Sequence, residues 1–365
     1  MKCMRSQAGL TLVELLIASA LGLLLTLGVA QLFVSSTDSF RIAEAVGRMQ
    51  ESGRLAHDIL GRTIRNADYW GCINSADLES IVDDTASGYK PELYDFSAPE
   101  SVQFDIADGT NGRVNGTAVL QLKGSRSLGV STNNMIPSSD EIPVTSLTSG
   151  VFGPGGLALL TNCNSGVVFQ LSGVDLANSE LELKASGGAV PGNFTNAGSC
   201  TNGSSLSNCF PDTYNEGDIF ASFSEIYYIY EDNGGRRALV YEGVGGGGPV
   251  ARRELVSDVR DMQVQVGTGP QGDHIINNWQ TLTNGNLAAV NDSSVSYVKA
   301  IRLSLLVRSP EDRVAGSQQS ACYPSWQDCS SGDNWTPAAA DDRHYYRVYT
   351  STYSIRNRLL DAATP

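Results

Sequence analysis

The chain has 365 residues, 41% of them hydrophobic and 8% aromatic, enough to bury a core in one or two domains and too apolar for a disordered chain. A net charge of −14 argues against nucleic acid as a partner of the main body.

The chain opens with Lys2 and Arg5, then Ser6-Gln7-Ala8-Gly9 and an apolar run from Leu10 to Val34 that is long enough to cross a bilayer as a helix. Glu14 sits inside that run. An acid costs about 2.5–3.5 kcal/mol at the centre of a membrane helix and less near its end. If the chain is cut between Gly9 and Leu10, Glu14 falls near the first turn of the new helix, where the helix dipole and a free amino group both favour negative charge. Two other readings use the same residues: a secretory signal cleaved after Gly28-Val29-Ala30 and before Gln31, and an uncut single-pass anchor. The basic leader, with no comparable basic cluster just after Val34, predicts a cytoplasmic amino terminus and export of everything beyond the helix.

Past the apolar run, Ile42, Val46, Met49, Gly53, Ala56, Leu60 and Ile64 recur at helical spacing with charged residues between them, which predicts an amphipathic continuation over 35–66. From Leu10 to Asn66 the helix would span on the order of 85 Å. Gly22 and Gly28 are its weak spots.

From Ser101 the pattern changes to short β-rich runs: Val102–Ile106, Ala118–Leu122, Leu157–Thr161, Val167–Leu171, Ile219–Phe223, Ile226–Tyr230, Ala238–Tyr241, Met262–Val266, Val298–Val307 and Tyr345–Ile355. An antiparallel sheet is expected, with a hairpin at Asp232-Asn233-Gly234-Gly235. Loops near 108–116, 131–141, 186–217, 267–294 and 309–342 are long for a compact domain.

Cys3 would leave with the leader, and six cysteines remain in an oxidising compartment. Of fifteen pairings, Cys200–Cys209 and Cys322–Cys329 are expected because each flanks a short Ser/Asn/Asp/Gly-rich loop, with Cys72–Cys163 as the remainder. No C-x-x-C spacing supports zinc. No nucleophile elbow, H-E-x-x-H or Walker loop is present, and His57, His274 and His344 are scattered, so neither an enzyme nor a cofactor is expected. The Gly243–Gly248 tract reads as a flexible hairpin loop. Acidic turns at 105–109, 212–218 and 328–333 offer oxygen ligands that calcium takes, none at EF-hand spacing.

The Gly9/Leu10 junction, the Thr-Leu-Val stretch and Glu14 together resemble the processing site of type IV prepilins and pseudopilins. Glu254–Val264, Ile301–Ser309, and Tyr346 through Asn357 resemble the carboxy-terminal strands of PilW-type minor pilins, and also the J-type minor pseudopilin of type II secretion. The resemblance implies an α+β, type IV pilin-like fold: a long amino-terminal helix packed on an antiparallel β-rich globular domain. It implies a leader at 1–9 removed by prepilin peptidase, N-methylation of Leu10, and a transmembrane and filament-core helix at 10–34. A periplasmic domain over 67–365 would follow the amphipathic 35–66 stretch. Glu14 would be the assembly glutamate that meets the terminal amine of a neighbouring subunit. Other minor pilins, the major pilin and the inner-membrane assembly platform are the implied partners, and the pilus the final location. A pseudopilin of type II secretion, or a pilus-tip adhesin acting through the 186–217 loop, are the alternative roles.

Overall fold

The computed structural model describes residues 11–73, 77–96, 101–132, 141–183, 191–194, 210, 214, 216–270, 275–285, 287–290, 297–332 and 334–359. A single helix, α1, runs without interruption over Leu12–Asn66, 55 residues or about 83 Å at 1.5 Å per residue. Gly22 and Gly28 do not break it. Its first half is exposed all round, whereas Ala45, Met49, Gly53, Ala56, Leu60 and Ile64 are buried in its second half. The stripe is therefore shifted by one position at its start: Ala45 is covered, and Ile42 and Val46 only half so.

Ten strands form the larger sheet: β1 (Leu78–Ser80), β2 (Val102–Ile106), β3 (Ala118–Ser131), β4 (Glu141–Pro143), β5 (Leu157–Thr161), β6 (Gly166–Asp175), β7 (Glu180–Leu183), β8 (Asp218–Glu231), β9 (Arg237–Gly245) and β10 (Gly248–Ser257). Four more, β11 (Val259–Gly269), β12 (Asn278–Thr281), β13 (Tyr297–Arg308) and β14 (Tyr346–Ser354), form a second sheet in the order β12-β11-β13-β14. Short helices α2 (Pro91–Tyr94), α3 (Leu287–Val290) and α4 (Arg356–Leu359) and a 3-10 turn at Thr110–Gly112 complete the described elements. Pairing is antiparallel throughout, except that β1 runs parallel to β6.

β8 is the spine of the larger sheet. It is one strand of 14 residues where the sequence suggests two, because the interruption at Ser224-Glu225 stays in ladder register with β3 on one edge and β9 on the other. The first residues of β8 pair with β5 on the edge that its later residues give to β9. The expected hairpin joins β8 to β9, closed by the Gly235 amide on the Asp232 carbonyl at 3.0 Å. β10 carries no strand signal in the sequence: Ala251-Arg252-Arg253-Glu254 lie on a sheet edge where nothing apolar is required.

The glycine tract is a tight hairpin rather than a loose one. The Gly153 amide donates to the Gly246 carbonyl at 3.0 Å, and a Cβ on Gly246 would lie 2.9 Å from the Ala221 methyl. A Cβ on Gly243 would meet the β8 backbone at Ser224, so close packing excludes a side chain at Gly243 and Gly246, whereas Gly245 and Gly247 have room for one.

One hydrophobic cluster joins the lower half of α1 to both sheets, with Leu60 and Ile64 against residues such as Leu120, Tyr227, Val264 and Leu303. Alternation along the larger sheet sends Val119, Ile226, Tyr228 and Val240 to the opposite face. The long segment after β13 covers part of the smaller sheet: the Tyr323 hydroxyl donates to the Ser304 carbonyl at 3.3 Å. The Cys322–Cys329 disulfide, between cysteines seven positions apart, closes a loop within it.

Candidate functional site

Gly9 and Leu10 lie outside the described residues, so the geometry of the helix end begins at Thr11. Thr11 is the N-cap of α1, in extended conformation, and Glu14 is its third helical residue. The Thr11 hydroxyl accepts from the Glu14 amide at 3.3 Å, and the Glu14 carboxylate accepts from the Thr11 amide and hydroxyl, both at 3.1 Å. This reciprocal capping box satisfies amides that have no partner within the helix, at a place where surrounding hydrocarbon would supply none. Glu14 thus has a local reason to be where it is. The apolar side chains that follow, from Leu12 to Val34, are more than half exposed, and the stretch is long and apolar enough to cross a membrane.

The second half of the helix is held by two tyrosines of β14. Tyr349 lies against Gly53 and Tyr353 against Gly61. Eight residues of helix rise about 12 Å and four residues of strand about 13 Å, so glycines eight apart meet rings four apart. A Cβ on Gly53 would come within 2.6 Å of the Tyr349 ring, and one on Gly61 would overlap Tyr353. Alanine at position 61 gains about 0.8–1 kcal/mol of helix propensity but overpacks a site where the typical cost is about 1–3 kcal/mol. Gly61→Ala is therefore expected to lower the denaturation midpoint. Gly47→Ala, where a Cβ meets nothing within 4 Å, is expected to raise it.

His57 lies in the same seam. The Tyr353 hydroxyl donates to the His57 carbonyl at 2.8 Å, which leaves it to accept from Nδ1 at 3.0 Å. Nε2 is then the bare acceptor, buried without a partner. Burial lowers the pKa of this imidazole, against a smaller opposing contribution from the Tyr349 backbone. The folded state keeps His57 neutral, so the stability it contributes is present above the unfolded value of about 6.5 and is lost as pH falls below it. Chemical denaturation at pH 7.5 and 5.5 should show wild type weakening on acidification more than His57→Gln; equal slopes would contradict this.

At the lower end of α1 a buried ion pair joins the helix to the carboxy terminus. The Arg358 guanidinium donates to the Asp68 carboxylate at 2.6 Å, with the two side chains 0% and 3% exposed. The Tyr297 hydroxyl and Trp70 indole also donate to Asp68, at 2.7 and 2.9 Å. Arg358 stacks 4.0 Å from the Tyr297 ring centroid and donates to the Val298 carbonyl. Asn357 donates to the Ala67 carbonyl at 2.9 Å, completing the helix end. Burial alone pushes the Asp68 carboxyl up; the Arg358 charge and the hydrogen bonds from Ser101, Tyr297 and Arg358 outweigh it and hold it below the usual range. Just beyond, the Cys72–Cys163 disulfide, with an S–S distance of 2.06 Å, ties the chain leaving α1 to the β5–β6 turn. Cys200 and Cys209 lie outside the described residues.

Two family models match parts of this chain, one in the carboxy-terminal half and one at the amino-terminal helix. A model of type IV pilus-assembly protein W matches residues 226–357, from the middle of β8 to α4, and the prokaryotic N-terminal methylation motif matches residues 4–30. Together the two matches support a type IV minor pilin of the PilW type. No curated protein and no solved structure matches it. The matched strands of this minor pilin include the whole four-stranded sheet that carries the helix, while residues 31–225 fall outside both matches. As a pilus-assembly protein it works with other pilus components, and its amino-terminal helix is that of a membrane-anchored pilin.

The acidic turns singled out from the sequence are occupied by their own backbones. Asp105 accepts from the Ile106 amide, Asp108 from the Thr110 amide and hydroxyl, and Asp328 from the Ser330 amide. Asp212 lies outside the described residues, while Asp218 accepts from the Ser131 hydroxyl. A different group, Asp312, Asp342 and His344, brings three ligand-type atoms within 4.8 Å of one another, and no sequence spacing announces it because 29 residues lie between Asp312 and Asp342 in a segment without periodicity. Its members bond to one another and to the loop: His344 Nδ1 is 3.1 Å from Asp342, and the Tyr346 hydroxyl donates to Asp342 at 2.7 Å. His57 and His344 stand in separate places, and His274 is outside the described residues.

Proposed function

We propose that this minor pilin is cut after Gly9 by prepilin peptidase, N-methylated on Leu10, and held as a single-pass inner-membrane subunit with residues 67–365 in the periplasm. From there it joins other minor pilins in a small complex that primes the pilus, and is carried into the filament with the major pilin through the helix at 10–34. The inner-membrane assembly platform is the machine that extracts it. Its role is structural, without catalysis and without a resident cofactor.

The observation that carries the reading is the carboxylate of Glu14, capped in the first turn of an apolar, exposed helix. Such an acid is costly in lipid unless a positive partner meets it, and the terminal amine of a neighbouring subunit is a partner of the right charge and depth. Capping by Thr11 keeps the side chain ordered while the subunit waits in the membrane.

Mass spectrometry of the amino-terminal peptide of the mature protein tests it. The expected start is N-methylated Leu10. A start at Gln31, or an intact Met1 leader in the filament-associated protein, would overturn the proposal.

A further inference from the structure

A cleft of about 720 Å³ opens on the larger sheet, over Ile226 and Tyr228 of β8. Those residues face away from α1, because their neighbours Tyr227 and Ile229 are the ones that pack into the core shared with the helix. The cleft therefore lies on the face of the larger sheet opposite α1.

Its polar groups are fixed and of both signs. Arg113, only 16% exposed, pairs with Glu242 at 3.0 Å and Glu92 at 3.5 Å and stacks 4.7 Å from the Tyr228 ring centroid. Across the cleft Arg252 stacks 3.7 Å from the centroid of the Tyr230 ring and donates to the Asn111 carbonyl at 3.2 Å. Asp105 completes the wall. A guanidinium held flat on a ring presents its remaining N–H groups in a known plane, and a carboxylate already accepting one bond retains lone pairs for others.

This lining selects by charge. A polyanion would meet four carboxylates, since Asp108 also lines the cleft, and a polycation would meet Arg113, Arg252 and Lys90. A divalent cation would have to take Glu92 and Glu242 from Arg113. A neutral molecule rich in hydroxyl groups satisfies donors and acceptors together without leaving a charge opposed, and the volume falls in the range of small-ligand sites.

We propose that the cleft between the 89–93 segment, the 105–113 turn and β8–β10 binds a neutral oligosaccharide, with Arg252 and Asp105 as its principal hydrogen-bonding residues. The site is independent of the assembly role and goes beyond it. The test uses the full-length protein in a zwitterionic detergent without a sugar headgroup, titrated by calorimetry with chitotriose, maltotriose and lacto-N-tetraose, and with 3′-sialyllactose as the anionic control. At least one neutral probe is expected to bind with Kd on the order of 0.1–1 mM. Arg252→Met and Asp105→Asn are each expected to weaken it about tenfold while leaving the thermal midpoint unchanged; both positions are at the surface, and Asn retains the acceptor for the Ile106 amide. Absence of binding by all three neutral probes, tighter binding of 3′-sialyllactose, or unchanged affinity in both variants would overturn the proposal.

Discussion

Replacing Glu14 by alanine is expected to leave the protein processed and membrane-inserted but to reduce its recovery in sheared filaments by about tenfold or more. Two effects of the substitution oppose each other. Losing the capping box costs the helix end about 0.5–2 kcal/mol, while removing an acid from the apolar run makes residence in lipid more favourable by up to about 2.5–3.5 kcal/mol, less near the helix end. Retention in the membrane is thus expected to hold or rise, and only the charge-dependent step suffers. Glu14→Gln separates the two functions, because glutamine serves at the third position of a capping box but carries no charge. If pairing with a neighbouring amine is the role of Glu14, Gln fails as Ala does. If ordering the helix end is the role, Gln behaves as wild type and Ala alone fails. Immunoblots of the membrane and sheared-pilus fractions distinguish these results, and normal filament recovery of Glu14→Ala would remove Glu14 from the assembly mechanism.

The second large effect is expected at the other end of the helix. Arg358→Met leaves the Asp68 carboxylate buried beside Tyr297 and Trp70 with no counter-charge. Breaking a buried pair from one side typically costs about 3–5 kcal/mol, a large share of a domain's stability. The loss is concentrated where the helix end, the first residues of β13 and α4 meet, so the seat of α1 should loosen with it. Asp68→Asn combined with Arg358→Met is expected to recover part of the loss, since it removes the uncompensated charge and asparagine tolerates the left-handed backbone found there (φ 60°). Wild-type stability from this site is present above the ordinary carboxylate value of about 3.9 and is lost as pH falls through the depressed folded-state value; Arg358→Met should lose that dependence. Urea denaturation followed by tryptophan fluorescence reads all of these. A change below about 1 kcal/mol for Arg358→Met would show that the pair is dispensable.

The amino-terminal half of α1 was readable because its physics is local. A stretch of twenty or more predominantly apolar residues crosses a bilayer whatever follows it, and an acid within it draws attention by its cost. The motif Thr11-Leu12-Val13-Glu14 also contained the capping box, S/T-x-x-E spacing read as a processing signal when it serves the helix end as well. Strands buried on at least one face, such as β5, β11 and β13, showed in their apolar content. β10, with four exposed residues in succession, had no such content.

Sequence by itself determined the anchor helix, its N-terminal methylation motif, the β-rich body and the antiparallel strands that carry the family match, because each depends on neighbours within a few residues or on one repeating period. Tertiary structure alone decided which pairs meet across long separations: Gly61 with Tyr353, Asp68 with Arg358, and Arg113 with Glu92 and Glu242. None of these contacts has a period or a spacing. A glycine in a helix reads as a weakness until the ring that needs its missing Cβ is in place, and a lone arginine near a chain end reads as solvated until the fold takes water away from it.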